Sequence, residues 1–168
     1  RGLRTLLLDR RAFPRDKACG DGLAADAMRA LERHGLAEEV RRRGHTVEEA
    51  SVFSPSRLEV RVPARQVNLR RTVLDALLAR HARERGTVFC RGEARGFATR
   101  PGGGVTVEVV GLDRPLESRA AVVATGCNLR PLDGHGAVER RRPSAIALRC
   151  YLRSSATLER SVISFDRS

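Results

Sequence analysis

The chain has 168 residues, of which 41% are hydrophobic and 31% charged, so it suits about one domain and can form a core. No apolar run approaches the roughly 18 residues of a membrane-spanning helix. The formal net charge is +12, but the arginines are scattered and only 4% of the residues are aromatic, which disfavours a nucleic-acid partner.

The first segments predict a buried strand followed by a loop and a helix. The apolar run over residues 6–8 ends on Asp9, which is typical of a buried parallel strand. A loop with Pro14 follows over residues 10–20, and Asp21 is the predicted N-cap of a helix that ends at Gly35. The apolar face of this helix is formed by Leu23, Ala27, Ala30 and Leu31.

The middle of the chain predicts mainly strands around one further helix. Residues 46–53 and 57–62 are predicted strands on either side of a turn at 54–56. A helix is predicted over 72–85 with Gly86 after it, and a strand begins at residue 88. Residues 93–99 and 105–110 predict a hairpin, with the glycine-rich turn at 101–104.

The last third predicts three more strands. Residues 120–126 form an apolar run that ends at Gly126, and we expect residues 121–125 to lie parallel to residues 6–9 in one sheet. Residues 145–152 and 161–165 are the other two predicted strands. The order of elements predicts an α/β fold, in which a nucleotide-binding sheet is interrupted by antiparallel strands.

Two places carry candidate ligand-binding residues. An acid at the end of a parallel strand, such as Asp9, can accept hydrogen bonds from the ribose hydroxyls of a dinucleotide, although a solvated carboxylate fits the same pattern. In the following loop, Gly20 lets the backbone approach a ligand closely, and Lys17 adds a positive charge. Cys19 is either a thiol with some thiolate character or a small buried side chain.

The cysteines give no sign of a metal site. Cys19, Cys90, Cys127 and Cys150 are far apart and have no zinc-binding spacing with histidines. We therefore predict no metal and expect reduced thiols in an intracellular protein.

Several segments resemble the geranylgeranyl reductase family of flavoproteins, which belongs to the wider p-hydroxybenzoate hydroxylase group of FAD enzymes. The most specific are residues 6–10 followed by the Phe-Pro-Arg-Asp-Lys and Cys-Gly-Asp-Gly-Leu blocks at 13–17 and 19–23. Residues 71–78 resemble the arginine-plus-helix element of the group, and 121–126 a strand beside the FAD. Thr125 departs from the group, which usually has aspartate there. Residues 145–151 resemble the first strand of the substrate-side sheet.

This resemblance implies an FAD-dependent oxidoreductase that reduces C=C bonds of an isoprenoid lipid or quinone side chain. It implies NAD(P)H or another electron donor, and a cytoplasmic location with peripheral contact at a membrane surface. Residues 1–143 would form a partial Rossmann-like FAD-binding domain and residues 144–168 the start of the substrate-side sheet. Cys19 is the candidate residue near the flavin or substrate. The implied FAD contacts are Asp9, Arg10, Lys17, Gly20, Arg71 and Gly126.

Two other functions stay open at this point. The first is a flavin-dependent monooxygenase or halogenase of the same fold, and the second is a basic, non-enzymatic nucleic-acid-binding module. Because the chain begins with Arg1 and has no glycine fingerprint before Asp9, we expect an interior fragment of a longer enzyme. We expect this fragment alone to bind FAD weakly or not at all and to lack reductase activity, with the seven candidate site residues around one open groove.

Overall fold

The computed structural model describes residues 2–126, 128, 130–132, 146–156 and 158–166. Cys127 and the predicted domain boundary after residue 143 lie outside these ranges. No helix in the described ranges is long and apolar enough to cross a membrane. The strands are β1 (Leu6–Asp9), β2 (Gly22–Leu23), β3 (His45–Phe53), β4 (Glu59–Asn68), β5 (Val88–Arg91), β6 (Ala94–Thr99), β7 (Val105–Val109), β8 (Leu116–Ser118) and β9 (Arg160–Ser164). The helices are α1 (Ala25–Arg33), α2 (Ala37–Arg43) and α3 (Arg71–Glu84).

The chain forms two compact units. The first comprises Arg1–Phe13 and Ala79–Ile146, and the second comprises Pro14–Leu78 and Ala147–Ser168. The first unit contains the parallel pair β1-β5 and the antiparallel sheet β6-β7-β8, whereas the second contains the sheet β2-β4-β3-β9. Helix α3 begins in the second unit and ends in the first.

The parallel pair in the first unit confirms the first predicted strand but not its predicted neighbour. Strand β1 pairs with β5 from Leu6 opposite Val88 to Asp9 opposite Arg91. Residues 121–125 were predicted to join this sheet, and that prediction is wrong, because they form no strand and Val122 is 92% exposed. An apolar run becomes a parallel strand only where a neighbouring strand satisfies its backbone hydrogen bonds, and no described segment does so here.

The hairpin predicted after β5 is present. Strand β6 pairs with β7 in antiparallel fashion, and the turn between them contains Gly102, Gly103 and Gly104, all with positive φ. Glycine is required at the last of these positions, because a Cβ on Gly104 would lie 2.7 Å from the backbone oxygen of Ser118. The short strand β8 adds to the edge of β7 and was not predicted, since three residues carry little periodicity.

The second unit is built on a hairpin extended on both sides. Strand β3 pairs with β4 with a register shift between Val47 and Glu49, and β9 adds to β3 in parallel. This confirms the predicted strands at 46–53 and 161–165. The strand predicted over 145–152 is wrong for its described residues, 146–152, which pair with no strand. Leu148 is 94% exposed, so the apolar composition of this segment does not correspond to burial in the described structure.

The core of the second unit is formed by three helices together with Val67 of β4 and Leu69 after it. The core is formed by Met28, Leu31, Leu36, Ala37, Val40, Val67, Leu69, Leu74 and Leu77. Helix α1 begins after Ala24 without a side-chain cap, so the predicted N-cap at Asp21 is wrong. Asp21 instead has a positive φ and precedes β2, whereas Gly35 ends the helix as predicted, with a φ of +72°.

Candidate functional site

A cluster of two arginines and one aspartate lies at the start of α3 in the second unit. Arg71 is the first residue of α3 and Asp75 lies one turn later, so their side chains meet on one face. Arg71 donates from Nε to Oδ1 over 2.6 Å and from Nη2 to Oδ2 over 2.9 Å, and Arg15 Nη1 donates to Oδ2 over 2.9 Å. Asp75 is buried. We call these three residues the arginine–aspartate cluster, and it carries one excess positive charge.

Cys19 lies in the loop before β2, in the same unit as this cluster. The backbone N–H of Asp21 is the main reason why the pKa of Cys19 is lowered. Arg71 lowers the pKa of Cys19 further by a hydrogen bond and by its charge, whereas partial burial and the charge of Asp21 oppose the shift. The thiolate is therefore favoured relative to an ordinary cysteine.

The backbone next to Cys19 is open to a ligand at one point. Gly20 is exposed, and a Cβ built on it would meet no atom within 4 Å. Lys17 lies in the same loop, two residues before Cys19. An open main chain, a lysine and a partly exposed guanidinium are donors that suit an anionic or carbonyl-rich ligand.

Asp21 is held by a second set of contacts within the same unit. The hydroxyl of Tyr151 donates to Asp21 Oδ2, and the backbone N–H of Leu69 donates to the Asp21 carbonyl over 2.9 Å. The bond to Asp21 raises the pKa of Tyr151, because the hydroxyl donates to a carboxylate. Arg149 lies 3.7 Å from Asp21 Oδ2 and binds Asp16 at 2.6 Å.

The first unit holds the remaining predicted site residues. Asp9 is the last residue of β1, and its Oδ1 accepts the backbone N–H of Arg11 over 2.9 Å, with the exposed Arg10 between them. Gly126 adopts a φ of +66° in a turn that Thr125 closes by donating from its hydroxyl to the carbonyl of Asn128 over 2.6 Å. Asp9 therefore has the strand-end position that ribose recognition requires.

The structure brings together some of the predicted residues and adds others. Cys19 and Arg71 belong to the same unit, where the charge of Arg71 helps to lower the pKa of Cys19, and Lys17 and Gly20 lie in the loop of Cys19. Asp9, Arg10 and Gly126 belong to the first unit, so the convergence of all seven residues stays a prediction. Sequence reasoning missed Arg15, Asp75 and Tyr151. The four-residue spacing of Arg71 and Asp75 was a readable signal, whereas the contact of Tyr151 with Asp21 joins positions 130 residues apart.

The sequence matches no protein-family model and no curated protein. Several solved structures share its fold. A mutant of PqsL from P. aeruginosa is 18% identical, with a TM-score of 0.67, over 84% of this chain and 42% of PqsL. The myxobacterial chondrochloren halogenase CndH, a variant of FAD-dependent halogenases, is 21% identical, with a TM-score of 0.57, over 71% of this chain and 30% of CndH.

Aklavinone-11 hydroxylase, solved with FAD and aklavinone, is 22% identical, with a TM-score of 0.52, over 70% of this chain and 27% of the hydroxylase. The chain thus spans less than half of the length of each of these proteins. The predicted mixed α/β fold of FAD-dependent flavoenzymes is confirmed.

Proposed function

We propose that this chain contributes part of the FAD-binding region of a flavin-dependent oxidoreductase. The observation that carries the proposal is the guanidinium of Arg71, which two hydrogen bonds to the buried Asp75 hold at the start of α3, in the same unit as the open backbone of Gly20. In this proposal Asp9 and Arg10 hold the ribose, Arg71 and Lys17 provide positive charge, and Gly20 and Gly126 let the backbone approach the cofactor.

The residues present fit such a cofactor. Arg71 and Arg15 both donate to Asp75 in the arginine–aspartate cluster, and an oriented guanidinium such as that of Arg71 suits a phosphate or a flavin carbonyl. Asp75 accepts hydrogen bonds from Nε and from one N–H of Nη2 of Arg71, which orients the guanidinium. The other N–H groups of Arg71 are available to a ligand or to Cys19. FAD, once NAD(P)H or another donor has reduced it, would supply the hydride for such a reaction.

The finer proposal is reduction of C=C bonds in an isoprenoid lipid or quinone side chain, with NAD(P)H or another donor reducing the flavin. It is supported by the resemblance of residues 6–23 to the geranylgeranyl reductases. Cys19 would then lie near the flavin or substrate. Because the substrate is a lipid, we also propose peripheral contact with a membrane surface, which flotation with lipid vesicles tests.

A flavin-dependent monooxygenase or halogenase is the second candidate. It is supported by the fold likeness to CndH and aklavinone-11 hydroxylase. The two candidates differ in their use of oxygen. A reductase consumes its donor anaerobically and saturates a C=C bond, whereas a monooxygenase or halogenase needs O₂ and inserts an oxygen or a halogen into the product.

The cofactor proposal is tested on the protein purified with all of its natural sequence. FAD affinity is measured by flavin fluorescence for the wild type and for Arg71→Gln and Arg71→Lys. The loss of a charge-assisted hydrogen bond costs about 1.5–3 kcal/mol of binding free energy, so Arg71→Gln should weaken FAD binding about tenfold to a hundredfold. Arg71→Lys keeps the charge but not the fork geometry and should recover only part of the affinity.

The matched control is Arg80→Gln on the same helix, whose exposed arginine pairs with Glu84 at 3.6 Å. It should leave FAD binding unchanged. If Arg80→Gln and Arg71→Gln weaken binding equally, general positive charge explains the effect and the proposed role of Arg71 is wrong. If the wild-type protein binds no FAD, the cofactor proposal itself is wrong.

A further inference from the structure

The loop before β2 is anchored at both ends by one distant segment of the second unit. At its start, Asp16 Oδ2 accepts a hydrogen bond from Arg149 Nη2 over 2.6 Å. At its end, Asp21 Oδ2 accepts the hydroxyl of Tyr151 and lies 3.7 Å from Arg149 Nη1. These contacts leave residues 17–20 as a short stretch between two fixed points, and we call this stretch the arch.

The two anchoring residues also hold each other. Arg149 Nη1 donates to the Tyr151 hydroxyl, so a chain of hydrogen bonds runs from the guanidinium through the hydroxyl to the Asp21 carboxylate. The guanidinium carbons of Arg70 and Arg149 lie 4.4 and 4.3 Å from the centroid of the Tyr151 ring, so cation–π contacts fix the ring as well. Tyr151 is therefore held by its ring and by its hydroxyl.

The segment that carries the anchors has an inverted pattern of exposure. Leu148 is 94% exposed and Leu152 87%, whereas the side chain of Arg149 is only 18% exposed. Withdrawing a guanidinium from water while leucines stay in water is unfavourable unless polar partners compensate. The ion pairs and hydrogen bonds described above provide this compensation. The segment is therefore placed by its polar contacts with the loop.

Asp21 keeps a costly conformation at the end of the arch. Its φ is +60°, in the left-handed region that non-glycine residues rarely use. It is 9% exposed, and its Oδ1 has no hydrogen-bond partner among the described residues. The N–H of Leu69 fixes its carbonyl over 2.9 Å. Backbone strain and a buried unpaired oxygen persist only where the surroundings impose them, and they concentrate at functional positions.

The arch contains groups that the proposed function assigns to the cofactor. Lys17 provides a positive charge, and the exposed Gly20 has an open backbone, since a Cβ built on it would meet no atom within 4 Å. A loop that is ordered before a ligand arrives loses less conformational entropy on binding. Anchoring by Arg149 and Tyr151 therefore favours binding without any contact between these residues and the ligand.

We propose that Arg149 and Tyr151 are positioning residues that hold the arch in the conformation that binds the cofactor. The proposal rests on the proposed function, because that function assigns the arch to FAD, and it deepens it by adding two residues that act through the loop. Two measurements test it: one reports the arch without FAD, and the other reports the affinity for FAD.

Cleavage after Lys17 by a lysine-specific protease reports opening of the arch in the absence of FAD. Lys17 is the only lysine among the 168 residues, and its cleavage product is quantified by mass spectrometry in the protein with all of its natural sequence. The cleavage rate follows the population of the open arch when the arch closes faster than the protease cuts. Local opening exposes little surface, so its rate should not depend on low concentrations of urea, whereas cleavage through global unfolding rises with urea.

The variants release one end of the arch or both. Arg149→Gln removes a partner from both ends and should raise the rate of cleavage after Lys17 about tenfold or more, whereas Tyr151→Phe releases the Asp21 end only and should raise it about threefold to tenfold. Arg149→Lys keeps the charge but lacks the fork that reaches both ends, so its rate should lie between those of the wild type and Arg149→Gln. The matched control is Arg153→Gln, at an exposed arginine of the same segment, which should leave the rate unchanged.

The affinity for FAD is measured by flavin fluorescence on the same variants. Tyr151→Phe should weaken FAD binding about threefold to tenfold, because the arch must then be ordered when the cofactor binds. The absorbance spectrum of the bound flavin should stay that of the wild type, because a positioning residue does not touch the flavin. Arg153→Gln should change neither quantity.

The proposal is overturned if Arg149→Gln is cleaved no faster than the wild type, if the additional cleavage depends on urea as global unfolding does, or if Arg153→Gln has the same effect. It is also overturned if Tyr151→Phe opens the arch without weakening FAD binding, or shifts the flavin spectrum. A wild-type protein that binds no FAD would contradict the proposed function itself, and the cleavage rates would still show whether the two residues hold the arch.

Discussion

Replacing Asp75 with asparagine removes the charge on which two arginines converge. Asp75 accepts three hydrogen bonds of 2.6–2.9 Å from Arg71 and Arg15. The side chain of Asp75 is 7% exposed, that of Arg71 22% and that of Arg15 17%. Asparagine offers one oxygen and places an N–H₂ group where the second oxygen stood, so at least one guanidinium faces a donor. Both arginines keep some access to water, which reduces the penalty.

The expected loss follows from these contacts. The substitution removes one or two charge-assisted hydrogen bonds, each of which contributes about 1.5–3 kcal/mol. Because water partly solvates the two arginines, we expect Asp75→Asn to lower the free energy of unfolding by about 2–4 kcal/mol. Urea denaturation followed by circular dichroism measures this value. In a chain of this size the melting temperature should fall by about 5–15 °C.

The control for this variant is Glu84→Gln in the same helix. Glu84 forms an exposed pair with Arg80, and such pairs contribute about 0–1 kcal/mol, so the substitution should be close to neutral. A loss of less than about 1 kcal/mol for Asp75→Asn, or an equal loss for Glu84→Gln, would refute the view that Asp75 organises the cluster.

Three further predictions concern packing, backbone strain and pH. Leu77→Ala should cost about 2–5 kcal/mol, because Leu77 is buried, whereas Leu78→Ala, at a 39% exposed position, should cost less than about 1 kcal/mol in the same denaturation assay. Gly104→Ala should lower stability by about 1–3 kcal/mol, because φ is +93° and the new Cβ meets a backbone oxygen; thermal melting checks this. Ser51→Ala should raise the pKa of Glu59 toward its ordinary value, because the Ser51 hydroxyl is the main cause of its lowered pKa. A carboxyl whose pKa is lowered in the folded state stabilises the fold at pH values above its unfolded-state pKa, and this stabilisation is lost as pH falls through its folded-state pKa. Ser51→Ala should therefore reduce stability more at neutral than at acidic pH. Titration of the Glu59 carboxyl by NMR measures the change in its pKa directly.

Local sequence patterns predicted the elements whose partners are close in the chain. The hairpins at 46–62 and 93–110 and the helix at 72–85 were found because turn residues, alternation and helical spacing act over a few residues. The strand at 6–9 was found because its apolar run is bounded by polar residues. Its partner, β5, was predicted as a strand but not as its neighbour, since register between distant segments depends on the whole sheet.

Sequence patterns failed where pairing or capping depends on tertiary contacts. Residues 121–125 and 146–152 have the composition of strands, yet no described strand pairs with either segment. Asp21 has the side chain of an N-cap, but its carboxylate accepts the hydroxyl of Tyr151 and its carbonyl the N–H of Leu69, and its backbone is left-handed and lies outside the helix. Propensity is a weak preference, and contacts of this strength override it.

The sequence by itself determined the α/β class, most strands and helices, and the loop in which Lys17, Cys19 and Gly20 lie, because these depend on periodicity and on residue type. The tertiary structure alone decided that Arg15, 60 residues away in sequence, joins Arg71 on Asp75. It also decided that Tyr151 holds Asp21 from 130 residues away. A hydrogen bond needs atoms placed within a few tenths of an ångström, and for residues distant in sequence only the folded chain fixes that placement.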